Sequence, residues 1–359
     1  MRKSTLGLIA AATMLAATPA SSEMSTYATF DSELPPGNLA IGPDGRVFMS
    51  VHEFYGRPLR VVEVLPDGTT RPYPNAQWAA APEDDGPGLR GVLGLRADRN
   101  GILWMLDGQG PQQTGRVVGW NTRAERLHRI YYLGQPVAND ESFLNDLAVD
   151  RDHEAIYISD TGNGQNSALI VLDLQTGRAR RVLEGSRFTV PEDIDIVIDA
   201  SIVTLGGNPA RIGVNPITVD PTNTWVYFAP MNSRSMYRIR TSDLLDESLT
   251  DELLVDRVER YGDKPISDGT TVDAAGNVYI TAITDDAIGV TRPDGSYEVL
   301  YQRDDLSWPD GFAIGIDGYI YVTVNELHRS AVLNDGVDTT QGEFKIVRFP
   351  ALGDAVSGR

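Results

Sequence analysis

Apolar and polar residues alternate in short runs along most of this chain, the period of half-buried strands rather than of helices. Six segments repeat one pattern: Asn38–Glu53, Val92–Gln109, Phe143–Gly164, Gly213–Ser233, Ser267–Asp286 and Pro309–Glu326. Their cores read LAIGPDGRVFMS, LGLRADRNGILWM, LAVDRDHEAIYIS, ITVDPTNTWVYFA, TTVDAAGNVYITA and FAIGIDGYIYVTV. Each is an apolar strand, a tight polar turn and a second strand rich in β-branched and aromatic residues. Asp-Gly, Asn-Gly and Gly-Asn pairs supply the positive φ that hairpin turns require. Two further strands follow most units, as at Arg60–Leu65 and Thr69–Tyr73, or Ile288–Arg292 and Tyr297–Tyr301. Four antiparallel strands recurring every 40 to 60 residues or so define a propeller blade. The predicted fold is therefore all-β, a six-bladed β-propeller of four-stranded antiparallel blades. Glu343–Phe349 and Tyr27–Phe30 are expected to complete the sixth blade, closing the ring with strands from both chain ends. Insertions are expected around Arg187–Gly207 and Thr241–Asp263.

The first residues stand outside this pattern. Arg2 and Lys3, a short apolar run from Leu6 to Ala17 and the small residues Ala20-Ser21-Ser22 predict a cleaved signal peptide over residues 1–22. The propeller domain then spans 23–359, and a periplasmic or secreted protein without a membrane anchor is expected. There is no cysteine, so disulfides, thiolate metal sites and Cys nucleophiles are excluded. The net charge of −19 disfavours nucleic acid and anionic lipid as partners and favours cations or neutral molecules. A monomer with a small-molecule ligand is the expected state.

Aligning the innermost strands on Leu39, Leu93, Leu147, Ile217, Thr270 and Phe312 gives candidate chemistry. Two positions earlier stand Gly37, Gly91, Asn145, Asn215, Asp268 and Asp310. In a propeller these positions ring the axis on one face, and the second strands end on that face at Glu53, Asp107, Asp160, Asn232 and Asn325. Asn and Asp also cap and bend backbone before strands, so turn chemistry competes with a site at every one of them. Two carboxylates about 6 Å apart at an effective dielectric near 20 repel by roughly 3 kcal/mol. Asp268 and Asp310 should thus attract a cation, share a proton or find a basic partner, for which Arg90 is the candidate. The expected ligand-binding set is Arg90, Asp107, Asn145, Asp160, Asn215, Asp268, Asp310 and Asn325. Asn145, Asn215 and Asp268 are the candidate ligands of a divalent cation such as Ca²⁺, and no organic cofactor is expected. Asp150-Arg-Asp152-His-Glu154 reads as a solvated turn, His52 as a packing or hydrogen-bonding residue, Trp104 and Trp225 as core, and Trp308 as a pocket wall.

Phe143-Leu-Asn-Asp-Leu-Ala-Val-Asp150, Ala155-Ile-Tyr-Ile-Ser-Asp160, Lys264-Pro-Ile-Ser-Asp-Gly269 and Leu306-Ser-Trp-Pro-Asp310 resemble the major royal jelly protein/yellow family. The resemblance covers most of the chain after the leader. It implies a secreted six-bladed propeller with an axial ligand pocket, in a family whose insect members include binders of biogenic amines and proteins linked to dopachrome conversion. A more distant resemblance is to gluconolactonase/regucalcin propellers. It implies a divalent metal held by Asn145 and Asp268, with Asn215 or Asp310 adding a ligand; the first-blade Glu of that family is missing, the aligned residues being Pro35-Pro36-Gly37. Two functions follow as expectations. One is binding of a small polar or cationic ligand in an acidic axial pocket. The alternative is a metal-dependent lactone or ester hydrolase with Asp268 or Asp310 as base.

Overall fold

The computed structural model describes residues 23–82, 86–108 and 114–358, so the expected leader lies outside the described residues. Six four-stranded antiparallel sheets stand around one axis. The innermost strands of blades 1 to 6 are Pro36–Ile41, Val92–Ala97, Leu144–Asp150, Val214–Val219, Ser267–Val272 and Pro309–Ile314. Their second strands are Val47–Val51, Ile102–Asp107, Ala155–Asp160, Trp225–Pro230, Val278–Ala282 and Tyr319–Val324. In blade 6 the third strand is Phe344–Pro350 and the outermost is Ser25–Phe30, so the two ends of the described chain pair and close the ring as the sequence predicts.

The core lies between blades, not within one. Tyr157 and Val171 of blade 3 meet Val219 and Phe228 of blade 4. Trp104 and Leu106 of blade 2 meet Ile156 and Ile158 of blade 3, and Met49 and Val62 of blade 1 meet Tyr321 and Ile346 of blade 6. This explains the strand composition: β-branched and aromatic side chains on both faces of a sheet fill the layer to either neighbour. Trp225 departs from its expected core role. It is half-buried at the edge of blade 4, where Arg238 and Arg240 lie over its ring at 4.0 and 4.2 Å.

At the end remote from the site, Asp side chains close the hairpins. Asp98 Oδ1 accepts the amides of Asn100 and Ile102, and Asp150 Oδ1 those of Asp152 and His153. The Asp150-Arg-Asp152-His-Glu154 run is such a turn.

The two insertions have different fates. Residues 241–263 form two short helices, Thr241–Leu245 and Asp251–Val255, and then the outermost strand of blade 4, Glu259–Asp263. The span after blade 3 folds into two small hairpins, Val197–Ile198 with Ser201–Ile202 and Thr204–Leu205 with Asn208–Pro209. Those hairpins meet the loop that follows blade 6's second strand, where the Thr204 amide donates to Leu333 O at 3.2 Å. Together they form a lid over one mouth of the axis. Among the described residues no helix is long and apolar enough to cross a membrane.

Candidate functional site: an axial cavity

Every innermost strand begins with the same irregularity. Regular pairing to the second strand breaks between Pro36 and Leu39, Val92 and Leu95, Leu144 and Leu147, Val214 and Ile217, Ser267 and Thr270, and Pro309 and Phe312. Two residues there oppose one, a β-bulge that re-aims side chains. The first residue of each bulge is Gly37, Leu93, Asn145, Asn215, Asp268 or Asp310, and all six line one cavity of about 390 Å³. Blade 2 thus contributes Leu93, not Gly91: its pairing resumes at Leu95, two residues later than the sequence alignment assumed.

Hydroxyls on the opposing strand hold the bulges. Ser159 Oγ accepts the Asp146 amide at 3.1 Å and donates to Asn215 O of the next blade at 2.8 Å. Ser50 Oγ likewise accepts from Asn38 N and donates to Leu93 O, and Thr323 Oγ1 accepts from Gly311 N and donates to Gly37 O across the ring closure. These side chains are fully buried, so each one fixes a bulge and ties two blades. The strands approach so closely that a Cβ on Gly94 would lie 2.7 Å from Asp146 Cα.

Asn145, Asn215, Asp268 and Asp310 are therefore brought together at the cavity floor. Asp268 accepts Asn215 Nδ2–H on Oδ1 and Trp308 Nε1–H on Oδ2, both at 2.7 Å. Trp308 adopts φ = 54°, a left-handed conformation that costs a bulky residue on the order of 1–3 kcal/mol and that aims its indole at the carboxylate. Asp310 Oδ2 accepts Asn325 Nδ2–H at 2.7 Å. Burial pushes Asp268 up to about 6 against the pull of its two donors. Burial, and then the charge of Asp268, hold Asp310 well above the usual carboxylate range. The floor therefore pairs Asp268 with a neighbour, Asp310, whose proton affinity is raised by burial and by the Asp268 charge.

The remaining expected site residues lie elsewhere. Asp107 Oδ1 accepts the Arg90 and Gly91 amides, and its Oδ2 pairs with Arg116. Asp160 Oδ1 accepts the Phe143 and Gly162 amides, and its Oδ2 meets Arg181 at 2.5 Å. Asn232 and Asn325 bind backbone on neighbouring loops, Asn325 also holding Asp310 from behind. Glu53 packs against Gly91. None of these is a cavity-lining residue. Arg90 does not line the cavity either, and no ion pair among the described residues joins its guanidinium to Asp268 or Asp310; its backbone carbonyl accepts Arg60 Nε and its amide donates to Asp107.

The axial cation is Arg96, which the sequence reading missed. Its guanidinium donates to Asn38 Oδ1 at 2.9 Å and to Asp146 Oδ2 at 2.7 Å, with all three side chains buried. Above the floor the walls are mostly apolar, with Leu93, Phe54, Phe143, Met231, Trp308 and Leu333, while Thr161, Asn163 and Arg211, the last paired with Asp193 and Asp195, also line the cavity. His52 also lines the cavity. Burial drops it to about 3, so it is neutral, and Nδ1 accepts the Phe54 amide at 3.3 Å, which leaves the proton on Nε2.

A divalent cation fits this arrangement poorly. Both oxygens of Asp268 hold N–H donors, Asn215 turns its NH₂ to Asp268, and Gly37 stands where the first blade would supply a carboxylate. Among the described residues no three His, Asp or Glu side chains are grouped to hold a metal ion.

A six-bladed propeller with a lidded cavity at one mouth of its axis defines the class of protein. The chain matches the model of the major royal jelly protein family over residues 90–353 and belongs to that family. No curated protein matches it in sequence. In structure it is similar to the calcium-binding protein regucalcin from Agrobacterium tumefaciens (15% identity, 93% of this chain and 96% of that one, TM-score 0.57). It is also similar to a gluconolactonase from Xanthomonas campestris (14% identity, 92% and 90%, TM-score 0.58). A third similar structure is a luciferin-regenerating enzyme (12% identity, 92% and 97%, TM-score 0.58). At these identities the likeness shows the propeller and no activity.

Proposed function

We propose that this protein binds a small ligand carrying a cationic or multiply hydrogen-bonding head and an apolar body. The observation that carries this reading is the Asp268–Asp310 pair at the floor of a cavity whose walls are mostly apolar. A volume of about 390 Å³ falls in the range of small-molecule sites. A cation placed against Asp268 gains from low-dielectric surroundings and needs no metal. Asp310, whose proton affinity is raised, accepts a hydroxyl or amine hydrogen when ionised and donates to a hydroxyl or carbonyl when protonated. The lid hairpins and Leu333 exclude water from that contact.

The hydrolase reading has less support, because its metal would lack a first-blade carboxylate and find Asp268 already engaged. The ligand-binding reading includes export, so the leader should be absent from the mature protein, which N-terminal sequencing reads directly. Thermal-shift screening of the purified chain against amines, polyols and lactones, with EDTA or with Ca²⁺, tests the two functions together. Amines or polyols should raise the melting temperature equally in both media, since saturation a hundredfold above Kd stabilises by about 2.7 kcal/mol. Lactone turnover that requires the cation would instead establish the hydrolase.

A further inference from the structure

The floor of the cavity is not uniform. Going round the axis, the first bulge residues of blades 3 to 6 are Asn145, Asn215, Asp268 and Asp310, whereas those of blades 1 and 2 are Gly37 and Leu93; Asn38 of blade 1 also lines the cavity, but its Oδ1 is spent on the Leu39 amide and on Arg96. The gap in the polar ring is reinforced from both sides of blade 2. Phe54 comes from the loop between the second and third strands of blade 1 and Phe143 from just before blade 3, their ring centroids 6.2 Å apart. His52, edge-on to Phe54 at 4.9 Å, is held neutral by burial, so it brings no charge to this sector. The space beside Gly37 is taken by Ser50 Oγ, which also pins Leu93 through its carbonyl at 2.8 Å. Leu93 is 9% exposed, and that residual surface faces the cavity.

A molecule with polar groups around its whole perimeter would bury some of them against Leu93, Phe54 and Phe143 without partners, which is unfavourable. One with polar groups along a single edge satisfies both sectors. We infer that Leu93 is the specificity-determining residue of the cavity, orienting a one-edge-polar ligand with its donor edge toward blades 5 and 6 and its apolar edge toward blade 2. This rests on the ligand-binding reading above.

The test uses two cations of equal charge and comparable ring size on the full chain. Benzylamine has an apolar ring, and D-glucosamine carries hydroxyls around its ring. Isothermal titration at pH 6.5, where both amines are protonated, should show the parent favouring benzylamine by about 10-fold or more, the scale on which a pocket distinguishes one apolar contact from its loss. Leu93→Asn extends the polar ring into blade 2 and should shift the ratio toward glucosamine by about 10-fold. Leu93→Ala, which only removes contact, should weaken benzylamine and leave glucosamine unchanged, and it serves as the second variant if the Asn form folds poorly. An unchanged ratio in both variants, with both amines binding, overturns the role of Leu93 alone. Preference of the parent for glucosamine overturns the orientation. Binding of neither amine to the parent overturns the pocket reading itself and this inference with it.

Discussion

Two rings of Asn and Asp side chains encircle the same end of this propeller, and they do opposite things. The residues at the ends of the second strands, Asp107, Asp160, Asn232 and Asn325, are fully buried and spend their polar atoms on neighbouring backbone or arginines, Asn325 also on Asp310. The residues that open the innermost strands, Asn145, Asn215, Asp268 and Asp310, are turned by bulges toward a cavity. Residue type does not separate the rings. What separates them is whether the surrounding backbone offers partners. Where it does, a carboxylate is a latch that contributes stability. Where it does not, the carboxylate keeps a face toward the cavity, open to a ligand in the proposed reading.

The largest effect should come from breaking a latch. Asp160→Ala removes the acceptor of two backbone amides and the carboxylate beside Arg181, whose side chain is only 7% exposed. Leaving that guanidinium underpaired should cost about 3–5 kcal/mol in chemical denaturation. A loss below about 1 kcal/mol would remove the distinction between the rings, since that is the range of an exposed pair.

Next is Ser159→Ala, which leaves the Asp146 amide and the Asn215 carbonyl without their shared hydroxyl. Two buried groups lose a partner, so a loss of about 1–3 kcal/mol is expected. The same change releases the bulges that carry Asn145 and Asn215, and amine affinity should fall with stability. Affinity that survives the stability loss intact would show that the bulges hold without the hydroxyl.

The third effect is on pH dependence. Only ionised Asp268 attracts a cation, and its carboxyl titrates at about 6. Benzylamine affinity should therefore rise with pH through 6 and level above it, with a loss of about 10-fold at pH 5, equivalent to about 1.4 kcal/mol. A flat profile between pH 5 and 7.5, read by titration calorimetry, would place the charge elsewhere.

The comparison also explains what the sequence disclosed. The blades and the closure at Tyr27–Phe30 were legible because alternation and hairpin turns are local signals. Five of the six cavity positions were legible too, since the repeats stay in register. Blade 2 slipped because Leu93 is apolar at the bulge and reads as the strand's first core residue, hiding Leu95 in that role. Arg96, Asn38 and Asp146 were missed because they stand just past the aligned column, and their mutual contact comes from three successive blades converging on the axis. The latch ring was misread for a different reason: Asn and Asp at strand ends look alike whether they face a cavity or a turn. One clue was available. Asp107 lies directly opposite Arg116 in the hairpin register, which marks it as a paired residue rather than a site.

The smallest stability effect should come from the cavity ring, and it is the sharpest test of the comparison. Among the described residues Asn325 Nδ2–H is the donor to Asp310, on Oδ2, so Asp310→Asn can keep that bond while its new NH₂ faces the cavity. The folded-state pKa of Asp310 is raised well above its unfolded value, so the native state holds a proton that the unfolded chain has released. The parent therefore loses stability as pH rises from about 4 toward the folded pKa, because the slope takes the sign of protons bound unfolded minus folded. The variant has no such proton to lose. Its stability relative to the parent should be lowest near pH 4 and climb with pH, ending within about 0.5 kcal/mol of the parent or above it at pH 7.5, the range of substitutions that break no structural contact. Amine binding should weaken in the same variant. A carboxyl whose removal costs binding and not stability belongs to the cavity; Asp310→Asn unfolding as readily as Asp160→Ala would move it to the latches.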